Sequence, residues 1–139
     1  MSEIFRQEKT MTEKKECLCS GGPKIIFPCS GAADVGAIAD LAARKLNKEG
    51  AGKMYCLAGV GGRVAGILKT TEAASFILAI DGCPLECAKH SLEQAGFKSY
   101  SHIQVTALGL EKGKSPATEE AVNRVADKAR DLLNKGACS

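Results

Sequence analysis

The fold is decided by residues 75–84, which read SFILAIDGCP. The run that begins at Ser75 is apolar through Ile80, which is typical of a strand covered on both faces of a parallel sheet. Pro84 is favoured at the first position of a helix, and we therefore expect a helix to begin there. A buried strand followed directly by a helix predicts an α/β domain, with Asp81, Gly82 and Cys83 at the junction.

The same alternation of short apolar runs and helical patterns continues on both sides of this stretch. Strands are predicted at residues 24–28, 53–57, 75–80 and 100–106. Helices are predicted at residues 34–47, at residues 61–69, from Pro84 to a stop at Gly96, and after a Ser115 cap. In the second of these helices Val64 is expected to face inward, and in the third Leu85 is expected to be buried. This order predicts a three-layer sandwich with a mostly parallel sheet of about four strands, Rossmann-like or flavodoxin-like.

Composition excludes several classes of protein. The chain has 139 residues, enough for one domain, and its 45% hydrophobic and 25% charged residues exclude wholesale disorder. No apolar run reaches the ~18 residues that span a bilayer, so we expect no membrane partner. A net charge of +3 without a basic cluster, and only 4% aromatic residues, argue against nucleic-acid binding.

Seven cysteines are the unusual feature of the composition. The N-terminal residues lack the apolar stretch of a secretory signal, so the predicted location is the cytoplasm. Thiols stay reduced in that compartment, and clustered cysteines there indicate metal or redox chemistry rather than structural disulfides.

Four of the cysteines fall at related places in the predicted fold. Cys29 and Cys83 directly follow predicted strands, Cys56 lies near the end of another, and Cys87 follows Cys83 by one helical turn. Parallel strands end at one edge of a sheet, so we expect these four thiols to converge there, with Gly82 among the backbone donors to sulfur. Zn²⁺ suits such a site because it binds four thiolates tetrahedrally at ~2.3 Å.

The same motifs resemble a known family. Pro28-Cys29-Ser30-Gly31, Cys56, Asp81-Gly82-Cys83 and Cys87 are similar to the motifs of the DGC-domain family. Its members are described as zinc-binding proteins in which four characteristic cysteines are the proposed ligands. The resemblance extends over about residues 24–133, and it implies metal binding without implying an activity. We therefore divide the chain into a partly disordered arm, residues 1–22, and a single DGC-like α/β domain, residues 23–136.

The leading interpretation is a cytoplasmic protein that holds Zn²⁺ through Cys29, Cys56, Cys83 and Cys87. Four thiolates leave no open coordination position, which favours storage, transfer or sensing, with a metal-exchange protein as partner, over enzymatic catalysis. One alternative is a thiol–disulfide or sulfur-handling enzyme with Cys83 as nucleophile and Cys87 as resolving thiol. Another is a small-anion binding protein that uses the same edge.

Other polar residues have competing interpretations. Asp81 can accept hydrogen bonds from the glycine-rich loop after the second strand, or cap a nearby turn. His90 is a substitute ligand or, more simply, a solvated helix residue, whereas His102 has no evident partner in the sequence. Arg63 can bring positive charge to the edge or remain exposed. The remaining cysteines are Cys17 and Cys19, which can supply or exchange ligands or stay on a free arm, and Cys138 near the terminus.

Overall fold

The computed structural model describes residues 21–136. Within this range the chain alternates between strands and helices, as predicted. The strands are β1 (Lys24–Pro28), β2 (Lys53–Met54), β3 (Phe76–Asp81) and β4 (Ser101–Gln104). The helices are α1 (Asp34–Glu49), α2 (Leu57–Gly61), α3 (Ala65–Glu72), α4 (Cys87–Gln94) and α5 (Glu119–Lys135), with a 3₁₀ helix at Val105–Leu108.

All strand pairs in the sheet are parallel, and the strand order is β2-β1-β3-β4. In the register of the central pair, Ile26 lies beside Leu78 and Pro28 beside Ile80. The chain therefore adds β2 on one side of β1 and β3 on the other. Because the connections after β1 and after β2 lead to opposite sides of β1, a crevice opens at the carboxyl ends of β1 and β3, the usual ligand position in flavodoxin-like sheets.

The two faces of the sheet carry separate apolar layers, because successive side chains of a strand point to opposite faces. Helices α1 and α5 cover one face, where Ile26, Leu78 and Ile80 are buried. Helices α2, α3 and α4 cover the other face over Phe27 and Ile77. Phe27 is fully buried, and burial of such a side chain contributes about 1.5–3 kcal/mol. The three-layer α/β sandwich predicted from the sequence is confirmed.

Two predicted elements differ in the second quarter of the chain. Strand β2 ends at Met54, so that Cys56 lies beyond the strand and directly precedes α2, without a side-chain hydrogen bond to that helix. The single helix predicted over residues 61–69 is replaced by α2 and α3. Arg63 adopts a left-handed backbone (φ 59°) between them, which interrupts a right-handed helix. Val64, predicted to face inward, is 49% exposed.

The helix predicted to begin at Pro84 begins instead at Cys87. Residues 83–86 form a turn in which the Glu86 N–H donates to the Cys83 carbonyl at 3.1 Å. Glu86 then adopts a left-handed backbone (φ 55°) that delays the helix. Leu85 consequently stands outside the helix and is 65% exposed, so the prediction that it is buried was wrong.

The cap of α5 also differs from its prediction. Thr118, rather than Ser115, precedes the helix, and its hydroxyl oxygen accepts the Ala121 N–H at 3.2 Å. The Ser115 hydroxyl oxygen instead accepts the Glu111 N–H at 2.7 Å, which closes the loop before the helix. A hydroxyl in either position satisfies a backbone N–H, and the sequence alone does not choose between them.

None of the helices between residues 21 and 136 combines the length and the apolar character that a membrane crossing requires.

Candidate functional site

Cys29 lies in the crevice between the ends of the two central strands. The backbone N–H of Cys29 donates to the Ile80 carbonyl at 2.8 Å, which extends the β1–β3 ladder by one residue. The Gly82 N–H, directly after β3, donates to the Cys29 sulfur at 3.3 Å. The predicted approach of Gly82 to a sulfur atom is therefore present, and it holds the Cys29 side chain against the end of β3.

Three of the four predicted ligands line one cleft at this edge. We call it the cysteine cleft, and its volume is about 540 Å³. Among the residues that line it are Cys29, Val35, Cys83, Leu85, Cys87 and Lys112. Cys29 and Cys83 are half-buried and Cys87 is exposed, so that solvent reaches the site. Cys29, Cys83 and Cys87 border the same cleft because they lie in the segments that directly follow β1 and β3.

Cys56 lies on a different but adjoining cleft. This side cleft has a volume of about 910 Å³ and is lined by Cys29 and Cys56, together with Asp40 and Arg44 of α1. Cys29 thus borders both clefts, whereas the exposed Cys56 borders the side cleft and not the cysteine cleft. Over residues 21–136, no three side chains of the His, Cys, Asp and Glu types are arranged so that they could hold a metal ion.

Close backbone packing fixes the floor of the cysteine cleft. A Cβ atom at Gly82 would lie 2.8 Å from both the Gly36 nitrogen and the Val35 carbonyl carbon of α1. A Cβ atom at Gly36 would in turn lie 2.5 Å from the Gly31 carbonyl oxygen. Only glycine permits such approaches, because every other residue would place a side chain in occupied space. The loops after β1 and β3 are therefore held tightly against the start of α1.

Two residues of this edge have a left-handed backbone without being glycine. Ser30 (φ 52°) follows Cys29, and Glu86 (φ 55°) precedes Cys87. The Ser30 hydroxyl donates to the Asp40 carboxylate at 2.7 Å, which anchors the turn after Cys29 to α1. Such conformations cost about 1–3 kcal/mol each and persist where surrounding contacts impose them. Both strained residues adjoin cysteines of the cleft.

Burial raises the pKa of the Cys29 thiol, and the nearby Asp81 and Cys87 add to this effect. Hydrogen bonds from the backbone of Gly31 and Gly82 act in the opposite direction without cancelling it. Cys29 therefore favours the neutral thiol when no cation is near its sulfur. A metal ion would reverse that preference, because a coordinated thiol loses its proton.

Asp81, the first residue of the Asp-Gly-Cys motif, fixes the start of α4. Its buried carboxylate accepts the Ala88 N–H at 2.7 Å and the Lys89 N–H at 3.0 Å. The His102 Nε2 atom lies 2.9 Å from the same carboxylate, and its Nδ1 atom lies 4.0 Å from the Glu86 carboxylate. Asp81 therefore caps the helix that begins at Cys87, and it accepts no hydrogen bond from the loop after β2.

Sequence reasoning did not assign His102 to the site. His102 pairs with Ala79 across the β3–β4 register, and Asp81 lies two residues further on the same face of β3. The alternating pattern of the fourth strand, combined with the strand order, would have placed the two side chains together. The order β3-β4 was the missing information.

Lys112 is a second residue that the sequence analysis missed. Its ammonium group donates to the Cys83 sulfur at 3.6 Å. Asp34, the first residue of α1, holds the loop that carries Lys112: its carboxylate accepts the Gly113 N–H at 2.9 Å and the Ser115 N–H at 3.0 Å. These contacts cross 79 and 81 positions of sequence, and no local pattern signals them.

Two further candidate residues, His90 and Arg63, lie away from the cysteine cleft. His90 is exposed on α4, as expected for a solvated helix residue. The Arg63 guanidinium donates to the Val60 carbonyl at 2.8 Å and the Gln94 carbonyl at 3.2 Å, so it binds helix ends rather than adding charge to the cleft. Cys17, Cys19 and Cys138 lie outside the described residues.

Carboxylates occupy both helix N-termini beside the cleft. Asp34 accepts the Val35 N–H at 2.8 Å at the start of α1, and Asp81 takes the N–H groups at the start of α4. These are the positions at which a phosphate or another small anion would bind. A bound anion would meet negative charge there, which disfavours the anion-binding interpretation.

Comparison with known proteins agrees with the motifs at this edge. Residues 25–129 match the model of the DGC domain. The chain is 34% identical over 88 residues to "Anaerobic and virulence modulator AnvM" of Pseudomonas aeruginosa, an alignment that covers 63% of this chain and 67% of that protein. No solved structure matches the chain. Because the matched region covers well over half of the chain and contains all four predicted ligands, the chain belongs to the DGC-domain family.

Proposed function

We propose that the protein binds Zn²⁺ through the thiolates of Cys29, Cys56, Cys83 and Cys87 at the carboxyl edge of its sheet. The observation that supports this most directly is that Cys29, Cys83 and Cys87 line one cleft, while Cys29 also borders the cleft of Cys56. Four thiol donors from separate elements match the soft ligand set that Zn²⁺ prefers.

Solvent access and hydrogen bonding at the site suit such a centre. Cys56 and Cys87 are exposed, so a metal ion can reach their thiols from solvent. The Gly82 N–H already donates to the Cys29 sulfur, which is the kind of hydrogen bond that orients and stabilises a metal-bound thiolate. A divalent cation would also offset the burial that keeps the Cys29 thiol protonated.

The ligand set favours a non-catalytic role. A tetrahedral centre with four protein thiolates has no position left for a substrate or water. The relative from Pseudomonas aeruginosa is named a modulator, and a regulatory role of the present chain is consistent with that description. We infer metal sensing, storage or transfer to a partner protein in the cytoplasm, rather than hydrolysis.

Metal content tests the proposal. Protein purified under reducing conditions without chelator should contain about one zinc ion per chain, the content of one tetrathiolate site. Serine substitution at Cys29, Cys56, Cys83 or Cys87 should lower zinc retention, because a hydroxyl is a poor replacement for a thiolate. Cys138→Ser is the matched control and should retain the metal. Wild-type protein that takes up no zinc, or full retention in all four variants, would contradict the proposal.

Thiol–disulfide chemistry is a second candidate, favoured by one contact. The Lys112 ammonium lies against the Cys83 sulfur, and Cys87 lines the same cleft. In that reaction the Cys83 thiolate attacks a small disulfide and releases one thiolate. Cys87 then attacks the mixed disulfide, so that two protein thiols are oxidised and the reagent is reduced to two thiols. Mass spectrometry after treatment of the metal-free protein with oxidised glutathione should then show a Cys83–Cys87 disulfide, which Cys87→Ser replaces with a lasting mixed disulfide at Cys83.

A further inference from the structure

We propose that Lys112 is a positioning residue for the thiolate centre: its ammonium group donates a charged hydrogen bond to Cys83 and thereby slows the loss of bound metal. This inference rests on the proposed zinc binding and concerns a residue outside the four cysteines. Its starting point is the 3.6 Å contact between the Lys112 nitrogen and the Cys83 sulfur.

The loop around Lys112 is anchored on both sides. The Asp34 carboxylate accepts the N–H of Gly113 and that of Ser115, and the Ser115 hydroxyl oxygen accepts the Glu111 N–H. The backbone of the loop is thus tied to the first residue of α1, whose start also forms the floor of the cysteine cleft. Although the Lys112 side chain is exposed, its backbone is fixed within reach of Cys83.

The charges around the cleft require a cation. Four thiolates exceed the charge of one Zn²⁺ by two, and Asp81 and Glu86 are also among the residues that line the cleft. Lys112 is the one lysine or arginine among the described residues that line it. A charged hydrogen bond to a ligating sulfur lowers the cost of gathering this negative charge, because it both neutralises and orients the ligand.

Substitution of Lys112 separates its charge from its bulk. Lys112→Met retains most of the aliphatic stem and removes the ammonium, whereas Lys112→Arg retains a cation. Lys114→Met is the matched control: Lys114 lies in the same loop, its side chain is 74% exposed, and it pairs with Glu111 rather than with a cysteine. Equal urea midpoints for the metal-free forms will establish that all variants are folded.

The first measurement is the rate at which zinc-loaded protein transfers its metal to a chromogenic chelator. We expect Lys112→Met to lose zinc roughly 10-fold faster, since removing a hydrogen-bond partner of a ligand typically costs about 10–100-fold in metal affinity. Lys112→Arg should restore most of the wild-type rate, and Lys114→Met should match wild type. If the wild type holds zinc and Lys112→Met releases it at the Lys114→Met rate, the inference is overturned while the proposed zinc site stands.

The second measurement needs no metal. The Lys112 ammonium contacts the Cys83 sulfur, so its removal should change the rate at which iodoacetamide modifies that sulfur. In metal-free protein, peptide mapping should show a changed rate of modification of Cys83 in Lys112→Met, with unchanged modification of Cys56. If the wild type binds no zinc, the proposed function fails, and this measurement still decides whether Lys112 acts on Cys83. Equal Cys83 rates in Lys112→Met and Lys114→Met would overturn that contact.

Discussion

Replacement of Asp81 by alanine should destabilise the fold through the start of α4. The Asp81 side chain is 1% exposed, and its carboxylate accepts two backbone N–H groups of the helix and faces the His102 ring. Removing a helix cap costs about 0.5–2 kcal/mol, and leaving a buried N–H without an acceptor costs about 1–3 kcal/mol. Ala88 is fully buried, so water cannot replace the lost acceptor. We expect Asp81→Ala to lose about 2–4 kcal/mol of unfolding free energy.

Urea unfolding followed by circular dichroism measures this loss. The experiment should be done with chelator present, because a bound metal would add its own stabilisation to the folded state. Asp81→Asn should fall between wild type and Asp81→Ala: its carbonyl oxygen still accepts the Ala88 N–H, while its amide group meets the Lys89 N–H, another donor.

Asp131→Ala is the control for loss of a carboxylate. The Asp131 side chain is 57% exposed and pairs with Lys135 one turn along α5, an arrangement worth about 0.3–0.5 kcal/mol. The opposite result would be that Asp81→Ala loses no more unfolding free energy than Asp131→Ala, with an unchanged slope of free energy against urea concentration. In that case the carboxylate does not cap α4 in solution.

Three further substitutions or treatments test other parts of the edge. Gly82→Ala should lower the unfolding free energy by about 1–3 kcal/mol, because the new Cβ would overlap the α1 backbone. Thermal unfolding measures this loss, and Gly61→Ala, whose Cβ would meet open space, is the control. Backbone N–H groups that donate to the Asp34 carboxylate lower its pKa, and the N–H of Gly113 has the largest effect. The Asp34 carboxylate therefore stabilises the fold above its unfolded pKa of about 3.9, and this stabilisation is lost as the pH falls through the lower folded pKa. In urea unfolding, the difference in unfolding free energy between wild type and Asp34→Asn should narrow below about pH 4. Because burial raises the pKa of Cys29, iodoacetamide at pH 7 should modify the exposed Cys56 before Cys29 in metal-free protein, and peptide mapping that finds the reverse order would contradict the assigned burial.

The fold could be predicted where apolar periodicity is strong. Strand β1 has the predicted bounds, and β3 differs by one residue at each end, because continuous apolar runs leave few alternatives for a central parallel strand. The strand order and the division between α2 and α3 could not be predicted. The order depends on how the crossovers pack, and the division depends on the left-handed backbone of Arg63, an uncommon conformation for that residue type.

The site residues that directly follow a central strand could be predicted from the sequence, whereas those placed by other features of the fold could not. Cys29 and Cys83 line the same cleft because β1 and β3 are neighbours, and Cys87 lines it through the short turn that follows β3. Cys56 is displaced to the adjoining cleft because β2 ends at Met54 and the chain turns into α2. Lys112 depends on a tertiary contact with Asp34, which composition and spacing do not encode.

Several of the places where local preference and structure disagree lie at the edge that carries the cysteine cleft, in addition to Arg63 and Val64 between α2 and α3. Pro84 does not begin the helix, Leu85 is exposed, and Ser30 and Glu86 adopt left-handed backbones. The interior strands show no such conflict, since their apolar residues are buried as their pattern requires. Strained conformations persist only where surrounding contacts impose them: Ser30 is held by Asp40, and the Glu86 carboxylate lies 3.6 Å from the Lys89 ammonium. Incidental core cysteines would need none of this, so the arrangement favours thiols that were placed at the edge to bind or react.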